Sequence, residues 1–265
     1  MNKIAYCIYF VLIISFLYSC EKEADITLPS AESELVVYSL LSPQHTTSVN
    51  VSLSQPLYNN VNSNEYPPVT NALVTINDGQ ATYTLSQVYL SGQPTGIYFI
   101  PSTQMPVVAG ETYHLTVTTP DGKNVTAETT VPEINSSLAY AIASTNNPNM
   151  PNEYFFETFW EDDLGEDYYK IYFDVSLSDY TYYVSDAGND GNVLTKKFNV
   201  LRFPNSNDPL YLSHISKEYF IYQKKIEQLP IGTNPFAEPV QMYSNINGGY
   251  GVFGSFNEYI IHVFP

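Results

Sequence analysis

Apolar residues recur with a period of two along most of the chain, the signature of half-buried strands. Leu35-Val36-Val37-Tyr38 opens the first run, and Val49, Val51 and Leu53 alternate with polar residues. Val74 and Ile76 lead into Asn77-Asp78-Gly79, with Tyr83 and Leu85 on the far side. That turn suits positive φ and predicts a hairpin. Ile97 and Phe99 give another strand. Tyr113, Leu115 and Val117 run into Pro120-Asp121-Gly122, after which Val125, Ala127, Thr129 and Val131 return. Seven short strands with turn signals between them predict a β-sandwich of immunoglobulin-like or transthyretin-like type over 34–132, with Pro132 marking its end.

The pattern resumes in a second region, 133–265. Phe155, Glu157 and Phe159 alternate with Phe156, Thr158 and Trp160; Tyr169, Ile171, Phe173, Val175 and Leu177 follow an acidic loop. Further strands are predicted over Lys197–Phe203, Val240–Ser244, Gly251–Phe256 and Tyr259–Val263. One stretch has the helical period instead. Ile215, Tyr219, Tyr222, Ile226 and Leu229 fall at spacings of four, three, four and three. Ser216 can cap the start and Pro230 stops the end, so an amphipathic helix is expected over 216–229, covering a face or an open end. The fold class is therefore mainly β, with two β-sandwich-like domains, the second carrying one helix.

The first residues follow another rule. Lys3 precedes an apolar run from Ile4 to Leu17, the length of a signal-peptide core and short of the ~20 residues that span a bilayer. Leu17-Tyr18-Ser19-Cys20 then has the form cut by the bacterial lipoprotein signal peptidase. Residues 1–19 are expected to be removed between Ser19 and Cys20, and the Cys20 sulfur to receive diacylglycerol. Two or three acyl chains hold a protein on a bilayer stably, where one is marginal. Residues 20–33, with Glu21-Lys22-Glu23-Ala24-Asp25 behind the anchor, read as a flexible lipidated tether.

Composition sharpens this picture. The other cysteine, Cys7, lies inside the apolar run, so the chain after Cys20 has no disulfide, thiolate nucleophile or cysteine metal site. Without residues 1–19 the chain has nine basic and 27 acidic residues, a net charge of −18, with Arg202 its lone arginine. That balance argues against nucleic acid and acidic lipid headgroups, which require clustered cations.

Few motifs suggest chemistry. Gly249-Tyr250-Gly251-Val252-Phe253-Gly254 matches G-x-G-x-x-G, but strand follows it where a dinucleotide site needs a helix. It reads instead as a strand that something approaches closely. Glu161-Asp162-Asp163-Leu164-Gly165-Glu166-Asp167 and Asp186-Ala187-Gly188-Asn189-Asp190-Gly191-Asn192 are acidic, glycine-containing turns. Asp162, Asp163, Asp167, Asp186 and Asp190 are candidate calcium ligands, although the spacing fits no EF-hand and solvated turns have the same composition. No metal and no cofactor is assigned. His45, His114, His214 and His262 show no H-x-x-x-H spacing, and no G-x-S-x-G or Cys/His pairing occurs, so the chain is read as non-enzymatic. Alternation places Tyr168 and Tyr172 on the face opposite Tyr169, one set in the core and the other exposed or under the helix. Tyr168, Tyr172 and Tyr250 are therefore candidates for a contact surface.

Several stretches together resemble one family. They are Cys20-Glu21-Lys22-Glu23 with its Leu-Pro tether, Val69 to Ile76, Gly96-Ile97-Tyr98, Val108 to Leu115 and Pro120 to Lys123. Most specific are Asn234-Pro235-Phe236-Ala237-Glu238-Pro239-Val240 and Tyr243 to Gly254. The chain resembles the Bacteroidota outer-membrane lipoproteins that share domain of unknown function 4249. The resemblance implies a lipid-anchored, surface-exposed protein that serves as an accessory or ligand-capture partner of a TonB-dependent receptor of the SusC type. It supplies no catalytic residues. The alternative is a fimbrial or adhesive subunit, disfavoured because the tether lacks the arginine at which such subunits are matured. A hydrolase would require a folded cluster of acids or histidines in a cleft.

Overall fold

The computed structural model describes residues 32–55, 67–134, 138–175, 178–200, 208–229 and 241–262. Ser19, Cys20, Arg202 and the 234–240 stretch lie outside these. The first sandwich contains β1 (Leu35–Leu41), β2 (Thr47–Leu53), β3 (Leu73–Asn77), β4 (Thr82–Thr84), β5 (Ser86–Leu90), β6 (Gln93–Ile100), β7 (Thr112–Thr118) and β8 (Asn124–Thr130). The second contains β9 (Ala139–Ser144), β10 (Tyr154–Glu161), β11 (Tyr168–Val175), β12 (Ser178–Ser185), β13 (Val193–Val200) and β14 (Pro209–Ile215). Helix α1 (Lys217–Glu227) and the long strand β15 (Tyr250–His262) follow.

Three sheets form, of eight, four and three strands. The eight-stranded sheet runs β12-β11-β14-β15-β1-β2-β6-β5 and is common to both sandwiches. Its β1 end shares a core with β4-β3-β7-β8, built from Val37, Val51, Ile76, Tyr113, Leu115 and Val125. Its β11 end shares a second core with β13-β10-β9, where Phe156 stacks on Phe173 at 4.5 Å beside Trp160 and Tyr169. The mainly β class expected from the alternation is what forms.

The expected hairpins are present. Asn77 pairs with Thr82 across Asp78-Gly79, and Asp78 Oδ1 accepts the Gln80 and Ala81 amides at 2.9 and 2.7 Å. These bonds hold the Asp78 carboxyl below its ordinary pKa. Gly122, at φ 92°, closes β7 onto β8.

The end of the chain differs from expectation. The short strands expected over 251–256 and 259–263 are one strand of 13 residues, while 241–246 has no regular structure. The polar Asn257 suggests a break, yet it is buried and its Oδ1 accepts from Gln44 Nε2 at 2.8 Å. A satisfied polar side chain does not interrupt a ladder. The first half of β15 pairs in parallel with β1, Val36 opposite Tyr250 through Leu41 opposite Ser255. The second half pairs antiparallel with β14, Ile215 opposite Phe256 through Pro209 opposite His262. Residues placed by the sequence in the second domain thus complete the first sandwich. Ile246 and Phe253 belong to its core, and Asn247 exchanges backbone hydrogen bonds with Thr126 of β8. From Ser33 onward the described residues form one compact unit.

The strand expected over Lys197–Phe203 is Val193–Val200, with 201–207 outside the described residues. Helix α1 lies on the outer face of the long sheet, where Tyr168, Ile215 and Tyr219 form a third apolar cluster. Ser216 caps it: its Oγ accepts the Tyr219 amide at 3.4 Å and the Ser255 amide of β15 at 3.2 Å. One hydroxyl therefore fixes both the helix start and its place on the sheet. Ser216→Ala is expected to lower the unfolding free energy by about 1–2 kcal/mol, measured by urea denaturation. A change below a few tenths would show that the cap carries nothing.

Candidate functional site

The two acidic turns flagged in the sequence sit side by side because β10 pairs with β13 and β11 with β12. The β10–β11 turn carries Asp162 to Asp167 and the β12–β13 turn carries Asp186 to Asn192. They are pinned to each other. The Gly191 amide donates to Asp162 Oδ2 at 2.9 Å, the Gly165 amide donates to Asp190 Oδ1 at 2.9 Å, and the Asp186 amide donates to the Asp167 carbonyl at 3.2 Å. Gly165, Gly188 and Gly191 all have positive φ (139°, 84° and 69°), which lets both turns fold back tightly.

Of the five candidate ligands, Asp162, Asp167 and Asp186 converge, one carboxylate oxygen from each lying within 4.8 Å of the others. Asp163 and Asp190 do not join them; Asp190 is exposed and serves the turn. The three that converge are sheltered, Asp162 being 9% exposed and Asp186 4%. Asp162 Oδ1 and Asp167 Oδ2 are buried without a hydrogen-bond partner. Burial, together with repulsion from the other carboxylates, raises the pKa values of Asp167 and Asp186, partly opposed at Asp167 by His214.

Sequence reasoning missed His214. It projects from β14 and its Nε2 lies 2.9 Å from Asp167 Oδ1, while its Nδ1 is 2.6 Å from the Glu133 carbonyl in the segment after β8. It also stacks on Tyr169 at 4.9 Å. Burial first, and then the nearby Asp162, push the Tyr169 hydroxyl's pKa up, although it makes no hydrogen bond of good geometry to that carboxylate. Nothing in the spacing of His214 signals this, since its partners lie 47 and 81 residues away. Only the sheet brings them together. An open groove of about 250 Å³, lined by Glu166, Tyr168, Ser185, Asp186 and Asp190, gives the turns a route to solvent.

His214 and Asp167 form a pair like the base half of a hydrolytic triad, but both imidazole nitrogens are already engaged. Neither is free to take a proton from a substrate. The other histidines stand apart. His45 tilts against Phe256 and faces Glu258 at 3.6 Å, His114 lies across from Glu128 at 3.5 Å, and His262 is exposed at the end of β15.

The tyrosines sort as alternation predicts. Tyr169 is in the core; Tyr168 is buried beneath the helix, 4.6 Å from Phe220; Tyr172 is half-buried against Tyr211 at 5.4 Å. Tyr250 is 57% exposed and shares its sheet face with the exposed Tyr38, Ile97 and Phe99. Tyr38 leans on Tyr222 of α1, and burial beside Tyr222 and Tyr183 pushes its hydroxyl pKa up to about 12. Of the three proposed surface tyrosines, Tyr250 is the one that faces solvent.

The glycine-rich motif has a structural role. Gly249, Gly251 and Gly254 occupy places where a Cβ would lie 2.4 Å from the Leu35 carbonyl, 1.8 Å from the Val37 carbonyl and 3.0 Å from the Tyr219 Cβ respectively. Each is glycine because β1 or the helix presses against the backbone of β15, or of the residue just before it, at that point.

Residues 21–260 match a family defined by a domain of unknown function, DUF4249. The chain belongs to the DUF4249 family. The match covers both sandwiches, the acidic turns and nearly all of β15. No curated protein matches this DUF4249 chain. Similar solved structures include the FN1–FN3 domains of chicken CNTN1, at 13% identity and a TM-score of 0.29, covering 71% of this chain and 61% of that one. The chicken interferon gamma receptor alpha chain matches at 10% identity and a TM-score of 0.17, covering 71% and 90%. Dimeric latent PorU from Porphyromonas gingivalis matches at 12% identity and a TM-score of 0.20, covering 89% of this chain and 21% of that one. Likenesses this low carry no argument; the fold rests on the strand pairing itself.

Proposed function

We propose that this DUF4249 protein is a non-enzymatic lipoprotein of the outer-membrane surface, held by acyl chains on Cys20. In this reading it acts as an accessory or ligand-capture partner of a TonB-dependent receptor of the SusC type in a Bacteroidota cell. The Leu17-Tyr18-Ser19-Cys20 sequence carries the reading, because an acylated cysteine confines the body to a membrane surface. Among the described residues no helix is long and apolar enough to cross a membrane. The occupied nitrogens of His214 favour binding over catalysis, and the outward Tyr38, Ile97, Phe99 and Tyr250 supply a face of the kind that protein contacts use.

Cys20→Ala is expected to abolish labelling by a radioactive fatty acid and to move the protein from the membrane to the soluble fraction. A variant that stays with the membrane sinks the anchor. The receptor is tested separately, by pull-down of the tagged wild-type chain from detergent-solubilised outer membranes. A TonB-dependent receptor should be recovered in stoichiometric amount; none in the eluate removes the partner.

A further inference from the structure

We propose that Asp162, Asp167 and Asp186 bind one calcium ion, which clamps the β10–β11 turn to the β12–β13 turn. His214 fixes one of the three carboxylates. A carbonyl can only accept, so the Glu133 carbonyl at 2.6 Å requires the hydrogen on His214 Nδ1. The 2.9 Å contact of Nε2 with Asp167 Oδ1 holds that carboxylate from behind and leaves its Oδ2 without a partner. Asp162 and Asp186, both buried, lie beside it. Three carboxylates converging in a sheltered pocket offer oxygen ligands of the kind a hard divalent cation takes.

The orphan atoms point the same way. Asp162 Oδ1, on a side chain of a residue more than nine-tenths buried, has no donor, nor does Asp167 Oδ2. Native structures rarely leave buried carboxylate oxygens unpartnered unless an ion or water takes them. The spacing fits the ion: oxygens bound to one calcium at about 2.4 Å can be no more than about 4.8 Å apart, and the three carboxylates meet that limit. Their chemistry is hard, with carboxylates from three aspartates and no thiolate, and the imidazole is occupied by Asp167. That donor set disfavours zinc and copper. Magnesium demands near-ideal octahedral geometry, whereas calcium tolerates irregular ligands from two turns and completes its shell with water. His214 acts as a positioning residue, orienting Asp167 from behind.

The test uses the whole chain from Cys20, metal-stripped, in detergent, titrated with calcium chloride in a calorimeter at constant ionic strength. One ion per chain should bind in the range known for extracellular modules, about 10⁻⁴–10⁻³ M, and the unfolding temperature should rise. Asp162→Asn keeps an oxygen for the Gly191 amide but removes ligand charge, and should weaken binding at least tenfold, about the effect ligand charge count predicts. Stripped of metal, that variant should retain the wild-type far-ultraviolet spectrum and unfold no earlier than stripped wild type. Asp163→Asn, in the same turn but outside the cluster, should bind as wild type does. Asp186→Asn provides the same reading if Asp162→Asn does not fold. Absence of calcium binding at about 10 mM, equal loss in Asp163→Asn, or tighter binding of magnesium would each overturn the proposal.

Discussion

Gly251→Ala is expected to leave little or no folded protein. At φ 118° a side chain is already strained, by about 1–3 kcal/mol. The added Cβ would lie 1.8 Å from the Val37 carbonyl oxygen and 2.8 Å from its carbon. Those atoms belong to β1, which pairs with β15 at this residue, so relief requires the two strands to separate. β1 in turn carries Leu35, Val37 and Leu41 into the first core. The cost should exceed about 4 kcal/mol, a large share of the 5–15 kcal/mol that holds a typical domain together. Gly79→Ala is the control. Gly79 also has positive φ, 87°, but nothing lies within 4 Å of its would-be Cβ, so about 1 kcal/mol is expected there. Soluble yield and thermal unfolding of the two variants decide it. Equal behaviour would falsify the idea that the glycine-rich motif is a packing device.

The second large effect concerns the boundary. A fragment of residues 34–132 should fail to fold, although its pattern reads as a complete sandwich. It lacks Ile246 and Phe253, each contributing about 1.5–3 kcal/mol by burial. It also lacks the parallel partner of β1 and the Asn247 exchange with Thr126. Asn245 is lost as well; its side chain bonds the Phe253 carbonyl at 2.8 Å and the Phe253 amide at 3.0 Å, holding the returning segment in place. Without these, β1 becomes an unprotected edge and the fragment is expected to aggregate. Fusing residues 243–256 to its C-terminus through a flexible linker should restore dispersed amide resonances and cooperative unfolding. A fragment that folds equally well without the fusion refutes the shared strand.

Both expectations depend on residues whose type is visible in the sequence and whose reason is not. The G-x-G-x-x-G stretch was legible as a strand under close approach, yet what approaches it is β1, more than two hundred residues earlier, and α1. Asp162, Asp167 and Asp186 were legible as turn acids. Their convergence depends on which strands pair, since each turn crosses between the same two sheets and only the β10–β13 and β11–β12 pairings set the two crossings side by side. His214 was invisible as a site residue, because a histidine in an alternating strand has no local mark that distinguishes a solvent-facing ring from one aimed at a buried carboxylate.

What the sequence determined by itself follows from short-range rules. Period-two alternation produces strands, Asn77-Asp78-Gly79 and Pro120-Asp121-Gly122 turn them, Ser216 starts the helix, and Tyr168 and Tyr169 take opposite faces. Each of these is dictated by dihedral preference or by side-chain direction within a few residues. What only the tertiary structure decided is how distant strands meet. A parallel pair such as β1 and β15 has no turn to announce it, and its register is chosen by which apolar faces fill two cores at once. The long shared sheet and the acid cluster both follow from that choice, because buried contacts between remote segments are set by packing and not by local propensity.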